Sequence, residues 1–343
     1  MPSSPIKSNG ARKRRLYYLD FLKTVGLFCI IIAHVNPPNC IIAARSFDVP
    51  LMVIISSFLA NRSYKKYKAT NDGTIGYYRS RFARLVFPTW LFFIIYFAIT
   101  DIGTGHLHPA SYYLKSFLLT RYGVDYVWII LIYLYSALLV PIIERIGFSI
   151  KAIVTVILFY SVYEILYHFQ IGTNNMFIET TFYYIIPYGL LTYIGYNLDK
   201  IKHKKLIIFI AANLIIFIAT ALYLHARTGN FQQVQAYKYP PRLYYLSYGI
   251  FCSLSLMTIC KNKRYEKYFN NKIIQYISSH SMWIYLWHTL ALFIYQKLRL
   301  PENWTLKFLI VSISAILIVI LVNKFLDKLE KRRHIKLFDY LRG

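Results

Sequence analysis

The sequence predicts an all-α integral membrane protein, about ten transmembrane helices in one bundle with both termini cytoplasmic, and three observations predict it. Of 343 residues, 57% are apolar and 16% charged, whereas a soluble domain of this size carries about a quarter charged residues. So much apolar surface needs lipid rather than a protein core. Apolar runs of about 20 residues recur along the chain, the length that crosses a bilayer as a helix. Finally, 40 Lys and Arg against 14 Asp and Glu give a formal charge of +26, and these cations fall unevenly between the runs. A balance this basic otherwise marks a nucleic-acid binder, but such chains display their charge on a polar surface. No nucleic-acid partner is expected here, and membrane lipid is.

The apolar runs lie at 16–35, 46–60, 82–100, 126–141, 150–168, 180–198, 205–224, 243–260, 273–295 and 306–326. The first follows Arg12, Lys13, Arg14 and Arg15 as in a signal peptide, but it is too long for an h-region and lacks a small-residue cleavage site, so it reads as a retained helix. The second and fourth are short. Assigning the connections alternately to two sides puts thirty of the forty basic residues on the side of both termini. Nine lie opposite: Arg45, Lys115, Arg121, Arg227, Lys238, Arg242, Lys297, Arg299 and Lys307. Cytoplasmic segments hold such an excess, and a missed or extra helix would scramble it. The expected organisation is a basic tail over 1–15, a membrane domain over 16–326 and a basic tail over 327–343. The longest non-cytoplasmic loop, about residues 101 to 125, is too short to fold alone. No repeat or separate soluble domain is visible. Cys29, Cys40, Cys252 and Cys260 have no metal or disulfide spacing and read as reduced.

A charge inside a span costs about 2.5 to 3.5 kcal/mol on insertion and points to function. The first span holds Asp20, Lys23 and His34. Lys23 and His34 are eleven residues apart, within about 20° of three full helical turns, so they share a face about 16 Å apart along the axis. Asp20 stands one turn before Lys23 and can pair with it. By the topology His34 lies at the outer end of its helix, and the next span starts nearby with Asp48, which can fix an imidazole tautomer or cap its own helix ahead of Pro50. Ser56 and Ser57 suit a close helix contact or a substrate passage. Glu164 and His168 form an i, i+4 pair, and Glu164 is a second candidate carboxylate for His34. His288 lies toward the outer end of the ninth span. Trp128 and the many Tyr residues suit sugar stacking or an interfacial belt. His106 and His108 have no carboxylate or cysteine at metal-ligand spacing and read as loop residues, so no metal is expected.

The stretch Arg15-Leu-Tyr-Tyr-Leu-Asp20-Phe-Leu-Lys23, continuing to Ile30-Ile-Ile-Ala-His34, resembles the opening signature of the acyltransferase-3 family of membrane O-acetyltransferases. There a basic residue, usually Arg, precedes a histidine by eleven positions after a Leu-Asp pair. Phe47-Asp-Val-Pro-Leu-Met-Val-Ile-Ile-Ser56-Ser57-Phe58-Leu59 is similar to the family's second-helix motif, and Tyr78-Arg79-Ser-Arg81-Phe-Ala-Arg84 through Pro88 and Trp90 to its basic approach to the third. Weaker matches follow in the family's order: Val127-Trp128 through Pro141, Tyr188 through Gly195-Tyr196, and Ser281-Met-Trp-Ile-Tyr285-Leu-Trp-His288. Together they cover about 290 residues. Lys23 replaces the usual Arg, keeping the charge without the planar fork; Ser57 replaces a usual Gly, and Asp48 stands where many relatives have His.

The resemblance implies a bacterial plasma-membrane enzyme, multi-pass, that transfers an acetyl or other acyl group from cytoplasmic acetyl-CoA. Its acceptor would be a hydroxyl of a cell-surface polysaccharide, such as exopolysaccharide or capsule, or of the lipid-linked precursor. On this reading His34 is the base or the acyl carrier, with Asp48 or Glu164 orienting it. Arg79, Arg81 and Arg84 hold the CoA phosphates, with Lys23 along the path of the pantetheine arm. Asp20, Ser56, Ser57, Trp128 and His288 line the passage or position the acceptor. The hydrolase-like outer domain of some relatives is not expected, since the chain ends soon after its tenth span. A precursor carrier or flippase is the competing reading, favoured by many spans with buried charge and disfavoured by the absence of repeat symmetry. A sugar polymerase would show one large outer loop.

Overall fold

The computed structural model describes residues 15–330, so most of both basic tails lies outside the described residues. Those residues are helical with no strand. The first helix, α1 (Tyr17–Ala33), stops before Asn36-Pro37-Pro38, with Asn36 at φ 57° and two prolines that cannot extend an α-helix backward. A short α2 (Asn39–Arg45) leads into α3 (Asp48–Lys68), where Pro50 sits in the first turn and Lys65, Lys66 and Lys68 in the last, each favourable to the helix dipole or the free N–H groups. Next, α4 (Gly73–Thr104) has 32 residues, about 48 Å of helix. It begins nine residues before the expected span, so Arg79, Arg81 and Arg84 ride on the helix rather than precede it. It ends at Gly105 in the left-handed region, φ 78°.

The connection expected as a loop over 101–125 contains α5 (Ala110–Phe117) and closes with a 3-10 turn, Asp125–Val127, which feeds α6 (Ile129–Ile146). Ser149 caps α7 (Ile150–His168) through Ala152 N–H, and Asn175 caps the short α8 (Met176–Thr180) before α9 (Phe182–Asn197). After α10 (His203–Thr228), the chain passes through a 3-10 turn at Val234–Tyr237 into α11 (Leu243–Cys260). Following α12 (Glu266–Phe269), the expected ninth span divides at His280 into α13 (Lys272–Ser279) and α14 (Ser281–Lys297), and α15 (Trp304–Glu330) ends the described chain.

Among the described residues, seven helical segments are long and apolar enough to cross a membrane: α2 with α3, α4, α6 with its preceding turn, α7, α10, α11 and α15. The other three expected spans fall on α1, α9 and α14, of 16 or 17 residues. These shorter helices sit among the others: α3 packs on α1, α6, α9 and α11, and α1 touches α13 and α14. Small residues allow the closest approach. A Cβ on Gly195 of α9 would stand 2.4 Å from Ile54 O and 2.9 Å from Ser57 Cβ on α3, so only glycine fits there. Asn61 then donates to Tyr196 O at 2.6 Å, joining the same two helices. By contrast α7, α10 and α15 turn large apolar residues such as Leu158, Ile215 and Leu321 outward, the pattern of helices facing lipid tails.

Candidate active site

Both described chain ends lie on one face of the bundle. Arg15 donates to Gln275 O at 3.1 Å and to Ser279 Oγ at 3.0 Å, and Asn323 of α15 donates to the neighbouring Tyr276 hydroxyl at 3.2 Å. His34, the C-cap of α1, is therefore at the far face. Its Nδ1 is 2.9 Å from Nε2 of His288, with the rings nearly parallel and their centroids 5.1 Å apart. His288 is fully buried, and its own Nδ1 meets the Tyr285 carbonyl oxygen.

This chain of contacts fixes the protons. A carbonyl oxygen only accepts, so His288 Nδ1 carries the hydrogen and its Nε2, in the neutral ring, offers a lone pair. His34 Nδ1–H donates to that lone pair, leaving His34 Nε2 deprotonated. His34 itself is half-buried, and Tyr126 packs on its ring at 4.4 Å. A neutral imidazole with an accessible lone pair is the form a general base or an acyl-accepting nucleophile needs.

The side chain that meets His34 is thus His288, and neither expected carboxylate holds that place. Asp48 is fully buried, bonded to Arg45 Nη1 at 2.5 Å and to Val49 N–H at 2.7 Å, with Lys238 Nζ at 3.7 Å. Two buried cations have claimed its oxygens. Glu164 accepts from Arg242 Nε at 2.6 Å, Leu243 N–H at 2.7 Å and Tyr160 hydroxyl at 2.6 Å, and it does not bond His168. It fastens the start of α11 to α7. Removing a buried counter-ion strands its partners at a cost of about 3 to 5 kcal/mol. Asp48→Ala is accordingly expected to lower stability by about that amount, read as an earlier thermal transition of the detergent-solubilised protein, whereas a residue that only orients His34 would leave the transition in place.

Toward the near face, Asp20 is bound by Arg15 Nε at 2.6 Å and Ser278 Oγ at 2.7 Å. It therefore ties α1 to α13 across the helix break rather than pairing with Lys23 as the three-residue spacing suggests. Lys23 borders two cavities. One, of about 570 Å³, is lined by Arg15, Asp20, Arg62, Lys66 and Arg84. The other, of about 210 Å³, lies deeper and is lined by Ser56, Ser57, Arg81, Tyr133 and Tyr285. Tyr285, whose carbonyl meets His288, also borders the deeper cavity, while His34 and His288 are not among its lining residues. Ser57 Oγ is buried without a hydrogen-bond partner among the described residues. Arg81 stacks over Tyr77 at 5.2 Å. Arg79 is exposed and borders neither cavity.

Trp128 is buried against Tyr184, Tyr188 and Tyr239, with Lys238 over its ring at 5.6 Å. Lys238, Arg45 and Tyr126 join the site without having stood out in the sequence. His108 also differs from its reading: its Nδ1 lies 2.5 Å from Asp101 Oδ1, and Tyr113 hydroxyl donates to the other carboxylate oxygen at 2.7 Å. Among the described residues no three His, Cys, Asp or Glu side chains group as a metal site.

These features define a membrane protein with a cation-lined cavity and a deeper one that share Lys23, and a histidine pair toward the opposite face. The family model for an acyltransferase domain matches residues 16–324. The chain belongs to the acyltransferase-3 family, and it is a membrane acyltransferase. No curated protein and no solved structure matches it.

Proposed function

We propose that the protein transfers an acetyl group from cytoplasmic acetyl-CoA to a hydroxyl of a cell-surface polysaccharide or its lipid-linked precursor, in a bacterial plasma membrane. Ten helices then cross, with both termini cytoplasmic, which makes the near face the cytoplasmic one. The observation that carries this reading is the line of groups from near face to far: the cation-lined cavity, Lys23, the deeper cavity, and His34 with a free Nε2.

Arg84, with Lys66 and Arg15 beside it, suits the CoA phosphates, and Arg81 and Lys23 suit charge deeper in. The pantetheine arm carries the thioester inward to the histidine pair. His34 Nε2 takes the proton of the acceptor hydroxyl while that oxygen forms a bond to the thioester carbonyl carbon. The tetrahedral intermediate then collapses, the carbon–sulfur bond breaks, and the thiolate leaves with the proton that His34 returns. Ser56 and Ser57, which line the deeper cavity, are the proposed passage residues, Trp128 a proposed acceptor contact, and no metal is invoked.

The test uses membranes carrying the cell's own glycans and acetyl-CoA labelled in the acetyl group. Label appears in glycan when acetyl-CoA is added to inverted vesicles, whose cytoplasmic face is outward, and not when it is added to sealed right-side-out vesicles. A precursor carrier would move glycan without incorporating label, and that result would end the acetyltransferase reading.

A further inference from the structure

We propose that Lys238, held by Asp48, donates to the oxyanion formed on the acyl group beside His34; this rests on the acyl-transfer reading above. Lys238 reaches the site from the connection between α10 and α11, a segment fastened on several sides. Tyr163 hydroxyl donates to Pro241 O at 2.8 Å, Glu164 binds Arg242 and Leu243 N–H, and Tyr244 hydroxyl donates to Gln232 O at 3.1 Å. The anchoring matters because an ammonium only 4% exposed costs several kcal/mol to bury. A free surface loop would leave it in water.

The ammonium is placed but not saturated. It has three N–H donors. It lies 3.7 Å from Asp48 Oδ1 and over the rings of Trp128 and Tyr239 at 5.6 and 5.5 Å. Among the described residues no oxygen accepts from it within 3.5 Å, since Arg45 and Val49 N–H occupy Asp48 more closely. Arg45 Nε is likewise buried without a partner there. One short turn ties this cluster to the base: Tyr126 packs on His34, and two residues later Trp128 packs under Lys238.

An attacking hydroxyl turns a neutral thioester into a tetrahedral species with a full negative charge on oxygen. Donors fixed where that charge develops accelerate the step, typically by about 10²-fold to 10³-fold each. The charged groups facing the ammonium are Asp48 from α3, Arg45 from α2 and Asp125 from the turn before α6. Burial outweighs the two carboxylates and brings the Lys238 ammonium down to about 8. Below that pH it is a cation and donates with charge; above it the amine is neutral. The rate therefore falls as pH rises through about 8.

The experiment follows initial rates of label transfer from acetyl-CoA to membrane glycan between about pH 6 and about pH 10, in wild type, Lys238→Arg and Lys238→Met. Lys238→Met is expected to lose about 10²-fold in kcat with KM for acetyl-CoA unchanged. Lys238→Arg is expected to retain transfer and carry the alkaline fall to higher pH, because guanidinium stays charged. Wild-type kcat in a Lys238→Met protein that elutes as a folded species would overturn the proposal. So would an alkaline fall that Lys238→Arg leaves in place, which decides the matter even where the Met variant fails to fold. Both results leave acetyl transfer itself standing, and only a wild-type protein that transfers no label removes that reading as well.

Discussion

Membranes bearing His34→Ala are expected to transfer acetyl to glycan at least about 10³-fold more slowly than wild type, at unchanged protein level. General-base assistance alone contributes about 10² to 10⁴. No other described side chain presents a free imidazole lone pair at this point, because His288 spends both nitrogens, one on Tyr285 O and one on His34. The loss should be chemical rather than structural. His34 is a half-buried helix cap whose backbone N–H bonds Ile31 O at 3.0 Å whatever side chain is present, and truncation leaves that bond intact. Immunoblotting for membrane content alongside the labelled-acetyl assay separates the two. Normal acetylation by His34→Ala membranes would end the mechanism proposed for this site.

The second large effect concerns His288, which acts through His34. His288→Leu removes the acceptor that holds the His34 proton on Nδ1, so Nε2 is no longer kept free. In a serine protease, presenting the wrong tautomer costs about 10⁴ in turnover; here the two tautomers can still exchange in water, and a loss on the order of 10³-fold is expected. His288→Gln restores an amide carbonyl that accepts from Nδ1–H and should recover most of it. KM for acetyl-CoA should stay unchanged in both. A role in packing alone predicts the reverse order, since Leu fills a 0% exposed position with an apolar side chain whereas Gln buries an amide there. Leu as the better variant would therefore exclude positioning.

The sequence carries the membrane class plainly, because lipid imposes it through composition. Apolar excess, run length and the uneven spread of basic residues between the runs are local or additive properties. The extent of α4 is less visible: Arg79, Arg81 and Arg84 look like an end signal, yet a helix leaving the bilayer carries charge readily. Within the site, His34 and Lys23 announce themselves by being ionisable in an apolar run at helical spacing. His288 has the same mark, but its partner lies 254 residues away, a distance across which spacing says nothing. Closeness in sequence makes Asp48 the natural candidate to orient His34. The structure gives Asp48 to Arg45 and Lys238 instead, and a pairing among three separate segments depends on packing alone. Lys238 sits in a connection with no helical period, and its only signal is a lone cation among Tyr237, Tyr239, Pro240 and Pro241.

Lys23 stands where the two cavities meet. A passage that admits a pantetheine arm also admits water, and a file of water carries protons. In an energised membrane such a file would drain the gradient that the cell maintains. A fixed ammonium at the neck repels any cation passing within about 4 Å by about 4 kcal/mol at an effective dielectric near 20, which thins that traffic about a thousandfold. On the proposed reading the same charge attracts an anionic donor, which leaves the neck open to CoA and nearly insulating to hydronium. Exchanging Lys for Arg there would preserve the insulation, and a neutral residue would surrender it even in a protein that no longer turns over.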